Sequence, residues 1–304
     1  MKKIAISVGD LNGIGIELIL RNHHLISEFV TPLYCIDKKM LHQASKKLHI
    51  NIPKNFLTIE GIAPSFKINA GKVSKKSGVY SFASFQKAVE LTKQGKVDAL
   101  CTLPIHKKAW EKAEVTYKGH TDALRDFFKT NAIMMLGCQE MFVALFTEHI
   151  PLKKVAKSIK KKALTQFLVD FYHTANPQKK VAILGLNPHA GDDGVLGDEE
   201  KIIKKSIKKA HKILKKKIFT DPLVPDVAFT PHTRKNYTHF IAMYHDQGLT
   251  PLKALYFDEG INISLNLPIL RTSVDHGTAF DIAYKDIKLN NLSYLNAVKY
   301  ICSH

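Results

Sequence analysis

The chain is 304 residues long, is 45% hydrophobic and carries a formal net charge of +18. A chain of this size can bury a large core, in one large domain or in two, and no apolar run is long enough to span a membrane. The four scattered cysteines lack Cys-x-x-Cys spacing, which argues against a disulfide framework and a thiolate zinc site. The first apolar stretch is too short for a signal peptide, so the sequence predicts a cytoplasmic protein.

Strand-like and helix-like segments alternate along the chain. Helices are predicted through Glu17–Leu25, up to Leu48 and over "YSFASFQKAVELTKQGK". The predicted strands are, in chain order, "KKIAISVG", "TPLYCID", "VDALCTLP", "AIMMLG", "FVALFTEH", "VAILGLNP", "VAFTP", "FIAMYHD" and "INISLNLP". Several of them are apolar without alternation, as in a sheet that helices cover on both faces. The fold class is therefore α/β, and the boundaries between domains are poorly marked.

The excess of positive charge raises the possibility of nucleic-acid binding. Much of it lies in "PLKKVAKSIKKKAL" and in "DEEKIIKKSIKKAHKILKKK". In the second stretch apolar residues recur every three or four positions and lysines fill the remainder, which is typical of a helix with one buried face and one solvated face. We favour the solvated face, because no zinc finger and no aromatic residues accompany the lysines. Duplex binding that persists at physiological salt would favour a nucleic-acid-binding protein instead.

Three predicted strands deliver a histidine just past their carboxyl ends, namely His149, His189 and His245. Ligands of α/β sheets bind at this edge, where loops that are distant in sequence converge. Three neutral imidazoles would suit a catalytic divalent metal, which commonly takes three protein ligands and keeps a position open. The alternative for each is a loop histidine bonded to backbone, and the spacing of the three does not decide between the two readings.

Further polar clusters suit an anion. "YKGHTDAL" places His120 and Thr121 at a predicted helix start, where backbone N–H groups favour phosphate and where Thr121 would equally serve as the N-cap. Lys253 is predicted in the first turns of a short helix after His245, and Asn262 and Arg271 flank a strand and a turn that contains proline. Each alone would more often be solvated, but their positions after strand ends favour a shared anion site.

The ordered motifs "GDLNGIGIE", "GHTD", "LFTEHIPL", "GLNPHAGDDGVLGDEE", "MYHDQGLTPLK" and "NISLNLPILRTSVDHGTAFDIA" cover nearly the whole chain. Through them the chain resembles the 4-hydroxythreonine-4-phosphate dehydrogenase family of vitamin B6 biosynthesis. The resemblance implies two α/β/α domains with a cleft between them, as in isocitrate and isopropylmalate dehydrogenases. We assign residues 1–125 and 272–304 to the first domain and residues 126–271 to the second.

The resemblance also implies roles for individual residues. By position in the motifs, the metal ligands are His149, His189 and His245, and the substrate-binding residues are His120, Thr121, Lys253, Asn262 and Arg271. "DHGTAFDIA" is similar to the adenosine-contacting segment of isocitrate dehydrogenases, so the cofactor-binding residues would be His276, Gly277, Thr278 and Ala279. The catalytic base is not identified by the resemblance. Asp246 is our candidate, although it could equally orient His245 as a carboxylate behind the ligand.

The implied reaction is oxidation of 4-phosphooxy-L-threonine by NAD or NADP to 2-amino-3-oxo-4-phosphooxybutanoate, which loses CO2 to give 3-amino-2-oxopropyl phosphate. One divalent ion per site (zinc, magnesium or cobalt) and a homodimer with its active site at the subunit interface are implied as well, with no nucleic-acid or membrane partner. A related D-threonate or D-erythronate 4-phosphate dehydrogenase is the alternative, because the anion-binding residues do not separate these substrates.

Overall fold

A computed structural model describes residues 1–304. The chain divides into two compact units, and both are discontinuous in sequence. Unit 1 comprises Met1–Thr130, Ile261–Ile263 and Leu267–His304, and unit 2 comprises Asn131–Gly260 and Ser264–Asn266. The predicted division at 125/126 and 271/272 assigned Arg271 to the second domain. The structure assigns it to unit 1, because the strand that contains it pairs with a strand of that unit.

Strands and helices alternate along the first segment of unit 1. They are β1 (Lys2–Ser7), α1 (Gly15–Ser27), β2 (Val30–Cys35), α2 (Lys38–Leu48), β3 (Leu57–Thr58), α3 (Lys75–Lys93), β4 (Ala99–Thr102), α4 (Lys107–Lys112) and α5 (His120–Phe128). The chain then forms unit 2, with β5 (Ile133–Cys138), β6 (Met141–Leu145), α6 (Val155–Ser158), α7 (Lys161–Ala175), β7 (Ala182–Ile183), α8 (Glu199–Leu214), α9 (Pro231–Arg234), β8 (His239–Ala242) and α10 (His245–Tyr256). It returns to unit 1 through β9 (Ile261–Leu265), β10 (Leu270–Val274) and α11 (Leu292–Ser303).

The strands of unit 1 run parallel in the order β3-β2-β1-β4-β10. Alternate residues of a strand point to opposite faces. On one face Leu100 packs with Phe85 of α3 and Trp110 of α4. On the other, Thr272 donates a hydrogen bond to the carbonyl oxygen of Ala297 in α11, 3.0 Å away. Helices therefore cover both faces, which confirms the α/β class and explains why the strands are apolar without alternation.

The glycine-rich loop between β1 and α1 is fixed by close backbone contacts. Gly9 has φ +68°, and a Cβ atom there would lie 2.2 Å from the carbonyl oxygen of Pro104. Asp10 next to it is fully buried, and it accepts hydrogen bonds from the backbone N–H of Asn12 at 2.9 Å and from Ser77 Oγ at 3.1 Å. Burial outweighs these bonds and raises the pKa of Asp10 from 3.8 to about 6. The loop thus carries a charged group that folding desolvates.

We expect Asp10→Asn to change how stability depends on pH. Because the pKa of Asp10 is raised in the folded state, the folded protein binds more protons between pH 3.8 and about 6, and its stability falls as pH rises through that window. Asparagine does not titrate, so the variant lacks this loss of stability. The free energy of urea unfolding of the variant, relative to that of the wild type, should therefore increase by on the order of 1 kcal/mol between pH 5 and pH 7.5. Asp258→Asn, at an exposed position, is the control. Parallel pH profiles for the wild type and Asp10→Asn would contradict the prediction.

Unit 2 has the strand order β5-β6-β8-β7. Strands β5 and β6 are antiparallel, whereas β6, β8 and β7 are parallel. The predicted strand "VAFTP" is wrong, because Val227–Phe229 form a turn. Strand β7 keeps only two residues of the predicted "VAILGLNP", and β10 was not predicted as a strand of its own.

The lysine-rich segment forms α8, as the sequence predicts. Ile203, Ile207 and Ala210 are buried on its inner face, and the lysines lie on the exposed face. Ile213 belongs to the apolar residues that recur along this stretch and that the sequence places on the buried face, but it is 49% exposed. None of the helices combines the length and the hydrophobicity needed to cross a lipid bilayer.

Candidate active site

The three histidines at predicted strand ends all belong to unit 2. His149 follows β6, and His189 follows β7. His245 is the first residue of α10, which begins three residues after the end of β8. Because β6, β8 and β7 are parallel neighbours, their carboxyl ends lie at one edge of the sheet, where α/β proteins bind ligands. The topology therefore brings the three loops to the same edge, as the pattern of the sequence predicts.

His149 and His245 form a close pair. Their ring centroids are 5.5 Å apart and their planes are inclined by 43°. Two imidazoles that share a tetrahedral ion have ring centres roughly 5 Å apart, given metal–nitrogen bonds of about 2.0–2.1 Å. Both residues retain solvent exposure. The pair therefore fits two ligands of one divalent cation.

Asp246 fixes the orientation of His245. Its Oδ1 is 2.7 Å from Nδ1 of His245, and its side chain is 80% exposed. A carboxylate on one ring nitrogen leaves the other, Nε2, as the coordinating atom, an arrangement common behind metal-binding histidines. Of the two roles considered for Asp246, the geometry supports the orienting one.

His189 lies on a loop of unusual conformation. The five consecutive residues from His189 to Asp193 all have positive φ, with His189 at 51° and Asp193 at 52°. Left-handed backbone costs on the order of 1–2 kcal/mol for each residue other than glycine, and only Gly191 in this run is a glycine. Such a loop persists only where its surroundings hold it.

The structure does not gather all three histidines into a ready ligand set. No cluster of three or more histidine, cysteine, aspartate or glutamate side chains has the arrangement of metal ligands. His149 and His245 are paired, whereas His189 is not placed with them at ligand distances. Its assignment as the third ligand stays a prediction.

Lys253 lies farther along α10 than the sequence indicates. It is in the last turn of this twelve-residue helix, not in the first turns. Its Nζ is 5.6 Å from the ring centroid of Phe257. Eight residues separate it from His245, which is about 12 Å along the helix axis.

Arg271 is the central residue of the candidate anion site in unit 1. It was predicted to flank a strand, but it lies inside β10, is 2% exposed, and pairs in register with Leu100 of β4. Its guanidinium donates hydrogen bonds to Thr102 Oγ1 at 2.7 Å and to Asn262 Oδ1 at 3.2 Å. Burial lowers the pKa of Arg271 to about 10, so the group stays charged at neutral pH, and both Thr102 and Asn262 are neutral.

His120 lies beside this cation. Its ring packs against Phe85 and Trp110, with centroids 4.7 and 5.5 Å apart. Its Nε2 is buried and has no hydrogen-bond partner. Burial, and secondly the charge of Arg271, lower the pKa of His120 well below 6.5. A neutral imidazole with a shielded nitrogen can donate a hydrogen bond to an anion or accept one from a substrate hydroxyl.

Helix α5 begins at His120, as predicted, but its N-cap is different. Gly119 caps the helix, whereas Thr121 lies inside the first turn and is 7% exposed. The capping role proposed for Thr121 is therefore wrong. A glycine N-cap offers no side-chain oxygen to the first N–H groups, which leaves them to other acceptors.

The cofactor candidates follow β10 in unit 1. Thr278 is buried, and its carbonyl oxygen accepts a hydrogen bond from Ile14 N at 3.1 Å, so the segment packs on the glycine-rich loop. Gly277 is exposed, and a Cβ atom there would meet nothing within 4 Å. Nδ1 of His276 is 3.0 Å from the carbonyl oxygen of Gly277, and Ala279 has φ 43°.

Known proteins resemble the chain over its full length. A model of the pyridoxal phosphate biosynthetic protein PdxA matches residues 28–301. A 4-hydroxythreonine-4-phosphate dehydrogenase of Sulfurimonas denitrificans is 61% identical, with 98% of this chain and 96% of that protein covered. The crystal structure of a 4-hydroxythreonine-4-phosphate dehydrogenase from Klebsiella pneumoniae matches with TM-score 0.83 and 29% identity, over 99% and 100% of the two chains. A β-decarboxylating dehydrogenase from Thermococcus kodakarensis, at 11% identity, TM-score 0.51 and 98% and 82% coverage, shares the fold alone.

Proposed function

Because the chain belongs to the PdxA family of pyridoxal phosphate biosynthetic proteins, we propose that this oxidoreductase oxidises 4-phosphooxy-L-threonine with NAD or NADP. The product, 2-amino-3-oxo-4-phosphooxybutanoate, then loses CO2 to give 3-amino-2-oxopropyl phosphate. The observation that supports this substrate is the buried cation Arg271, at hydrogen-bond distance from Thr102 and Asn262. A phosphorylated amino acid is an anion of the kind that such a cation attracts.

The residues of unit 1 bind the anionic substrate. Arg271 supplies a planar fork of N–H donors, and Asn262 and Thr102 hold that fork in one orientation. His120 and Thr121 at the start of α5 complete the contacts that unit 1 makes to the substrate. Lys253, on α10 of unit 2, supplies a second cation. Burial of the guanidinium favours an anion further, because a desolvated charge gains more from a counter-charge than a hydrated one.

The histidines of unit 2 hold a divalent cation, with His149 and His245 as neighbouring ligands and His189 as the third. When bound there, such an ion would supply stabilisation of negative charge on a substrate oxygen. Asp246, at 2.7 Å from Nδ1 of His245, would hold the tautomer that leaves Nε2 as the coordinating atom. The nicotinamide cofactor is held by His276, Gly277, Thr278 and Ala279, where the open space at Gly277 allows a ligand to approach the backbone.

The substrate assignment is tested by NADH formation from three phosphates, namely 4-phosphooxy-L-threonine, D-threonate 4-phosphate and D-erythronate 4-phosphate. We expect the amino-acid phosphate to give the highest kcat/KM. A higher value for either sugar-acid phosphate would instead support the alternative dehydrogenase.

The same proposal includes a homodimer whose sites draw residues from both subunits. His245 and Lys253 are about 12 Å apart along α10, a separation that allows the two residues to contribute to two different active sites of the dimer. Mixing inactive His149→Ala and Lys253→Ala proteins, under conditions that exchange subunits, tests this. If the two residues reach one site from different chains, half of the sites in a mixed dimer carry no lesion. Activity should then return to about a quarter of wild type by pair statistics.

No recovery on mixing would show that His149 and Lys253 come from one chain, since every site then keeps a lesion. Sedimentation velocity of the wild type is the companion measurement. A fully active monomer would contradict the shared site.

A further inference from the structure

Each of the three candidate metal ligands lies two residues beyond a residue that takes part in a hydrogen bond between a polar side chain and backbone. The backbone N–H groups of Met243, before His245, and of Asn187, before His189, donate to side chains, whereas Thr147, before His149, is itself the side chain that binds backbone. None of the anchoring side chains belongs to the ligand set, and the strand ends alone do not require them.

Gln247 joins two of the loops. Its Oε1 accepts the backbone N–H of Met243 at 2.7 Å, and its Nε2 donates to the carbonyl oxygen of Gly185 at 2.7 Å. Gly185 begins the segment that leads to His189, and Met243 begins the segment that leads to His245. One amide therefore sets the spacing between the two loops, and both of its polar ends are used.

Thr147 ties the third loop to the same residue. Its Oγ1 donates to the carbonyl oxygen of Met243 at 2.7 Å, and its backbone N–H donates to that oxygen at 3.2 Å. Met243 thus receives two hydrogen bonds from the loop of His149 and gives one to Gln247. The loops of all three histidines are linked through it.

Glu200 of α8 holds the left-handed loop from within. This residue is 4% exposed, and its Oε1 accepts the backbone N–H groups of Leu186 and Asn187, each at 2.8 Å. Its Oε2 accepts from Asn187 Nδ2 at 2.9 Å, and a Cβ atom at Gly191 would lie 2.6 Å from Oε2. The carboxylate therefore fills the turn that carries His189, and it fixes the loop just before the left-handed run.

We propose that Gln247 and Glu200, with Thr147, are positioning residues that hold the loops of His189, His245 and His149 in place for a divalent cation. This inference rests on the metal site of the proposed function and deepens it. Polar groups behind metal ligands orient them, and their loss commonly weakens metal binding by about 10- to 100-fold.

The test measures metal binding without turnover. Isothermal titration of metal-stripped protein with Zn²⁺, and the visible spectrum of the Co²⁺-loaded protein, report affinity and ligand geometry. Gln247→Glu keeps the shape and the acceptor for Met243 N, but it loses the donor to Gly185 and sets an oxygen against a carbonyl oxygen. We expect Zn²⁺ affinity to fall by about 10- to 100-fold and the Co²⁺ spectrum to change. Gln178→Glu, the same change at an exposed position of unit 2, should leave both unaltered.

Glu200 is tested by a graded pair. Glu200→Gln keeps an oxygen for the two N–H groups. Rotation of the Asn187 amide restores its bond to residue 200 but gives up the 2.8 Å bond from Asn187 Nδ2 to Glu199 Oε2, so we expect Zn²⁺ affinity closer to wild type than in Glu200→Ala. Glu200→Ala leaves two N–H groups without an acceptor, and we expect weaker Zn²⁺ binding together with faster hydrogen exchange at Leu186 and Asn187. If the alanine variant fails to fold, the Gln247→Glu variant still tests the proposed positioning role.

The outcomes separate this inference from the function beneath it. Wild-type affinity and an unchanged Co²⁺ spectrum in Gln247→Glu would overturn the positioning role, and the metal site would stand. A wild-type protein that binds neither Zn²⁺ nor Co²⁺ would overturn the metal site itself, and the positioning role with it.

Discussion

Substituting alanine for His245 should strongly reduce metal-supported turnover while leaving the fold intact. His245 is one of two imidazoles whose rings lie 5.5 Å apart, and it retains exposure to solvent. A metal ion that stabilises developing charge contributes several kcal/mol to the transition state. Since each 1.36 kcal/mol is a factor of ten in rate, kcat/KM should fall by roughly a thousandfold.

The measurement is NADH formation at saturating divalent metal, with metal content determined on the same samples. His173→Ala, an exposed histidine in the last turn of α7, is the control and should retain full activity. Wild-type turnover and metal content in His245→Ala would remove His245 from the metal site, even if the protein proved to be the proposed dehydrogenase.

Arg271→Lys should weaken the use of the phosphorylated substrate far more than the binding of the cofactor. Lysine cannot reproduce the two N–H contacts that Arg271 makes to Thr102 and Asn262. The ammonium also offers the substrate a point charge in place of two parallel N–H donors. One hydrogen bond to a charged group is worth about 1.5–3 kcal/mol, so we expect kcat/KM for the substrate to fall roughly 10- to 100-fold. The KM for NAD should stay within a few-fold of wild type.

The lysine variant should also acquire a pH dependence that the wild type lacks. Burial lowers the pKa of Arg271 only to about 10, above the assay range. A lysine begins at about 10.4 and falls further when it is buried. Its charge is present below its pKa and is lost as pH rises, so the KM for substrate should climb with pH in the variant alone.

Arg21→Lys, at a surface position where the native side chain is 44% exposed, serves as the matched control. If Arg271→Lys lost affinity for NAD and kept its affinity for substrate, Arg271 would belong to the cofactor site.

The strand-end histidines could be predicted because their signal is local. An apolar run that ends abruptly in polar residues marks the carboxyl end of a buried strand, as before His149 and His245. The common edge follows from parallel pairing of those strands. The exposure of the lysines on α8 could be predicted for the same reason, since a period of 3.6 residues is read directly from the sequence.

The surroundings of Arg271 could not be predicted in the same way. Its contact with Thr102 depends on the register of β10 against β4, in which Arg271 pairs with Leu100. Register is a property of the assembled sheet, and a strand shifted by one residue would turn Arg271 to the opposite face. Burial of an arginine inside a strand has no sequence signal of its own.

Two other misses have different causes. Val227 and Phe229 are residue types that favour strands, but Pro225 and Pro231 flank the segment. Because proline favours turns, the segment forms a turn instead of a strand. The left-handed run after Pro188 contains one glycine among five residues, so composition does not reveal it. It becomes intelligible only when Glu200, from the following helix, is seen to bind the backbone before it.

Formation of NADH and CO2 from 4-phosphooxy-L-threonine and NAD, by protein stripped of metal and then replenished with Zn²⁺, Mg²⁺ or Co²⁺, tests the central claim most directly. We expect no turnover in the stripped protein, and after replenishment NADH and CO2 in equal amounts. Equal rates with and without metal would contradict the role of the histidines, and an inert substrate under every metal condition would contradict the proposed function.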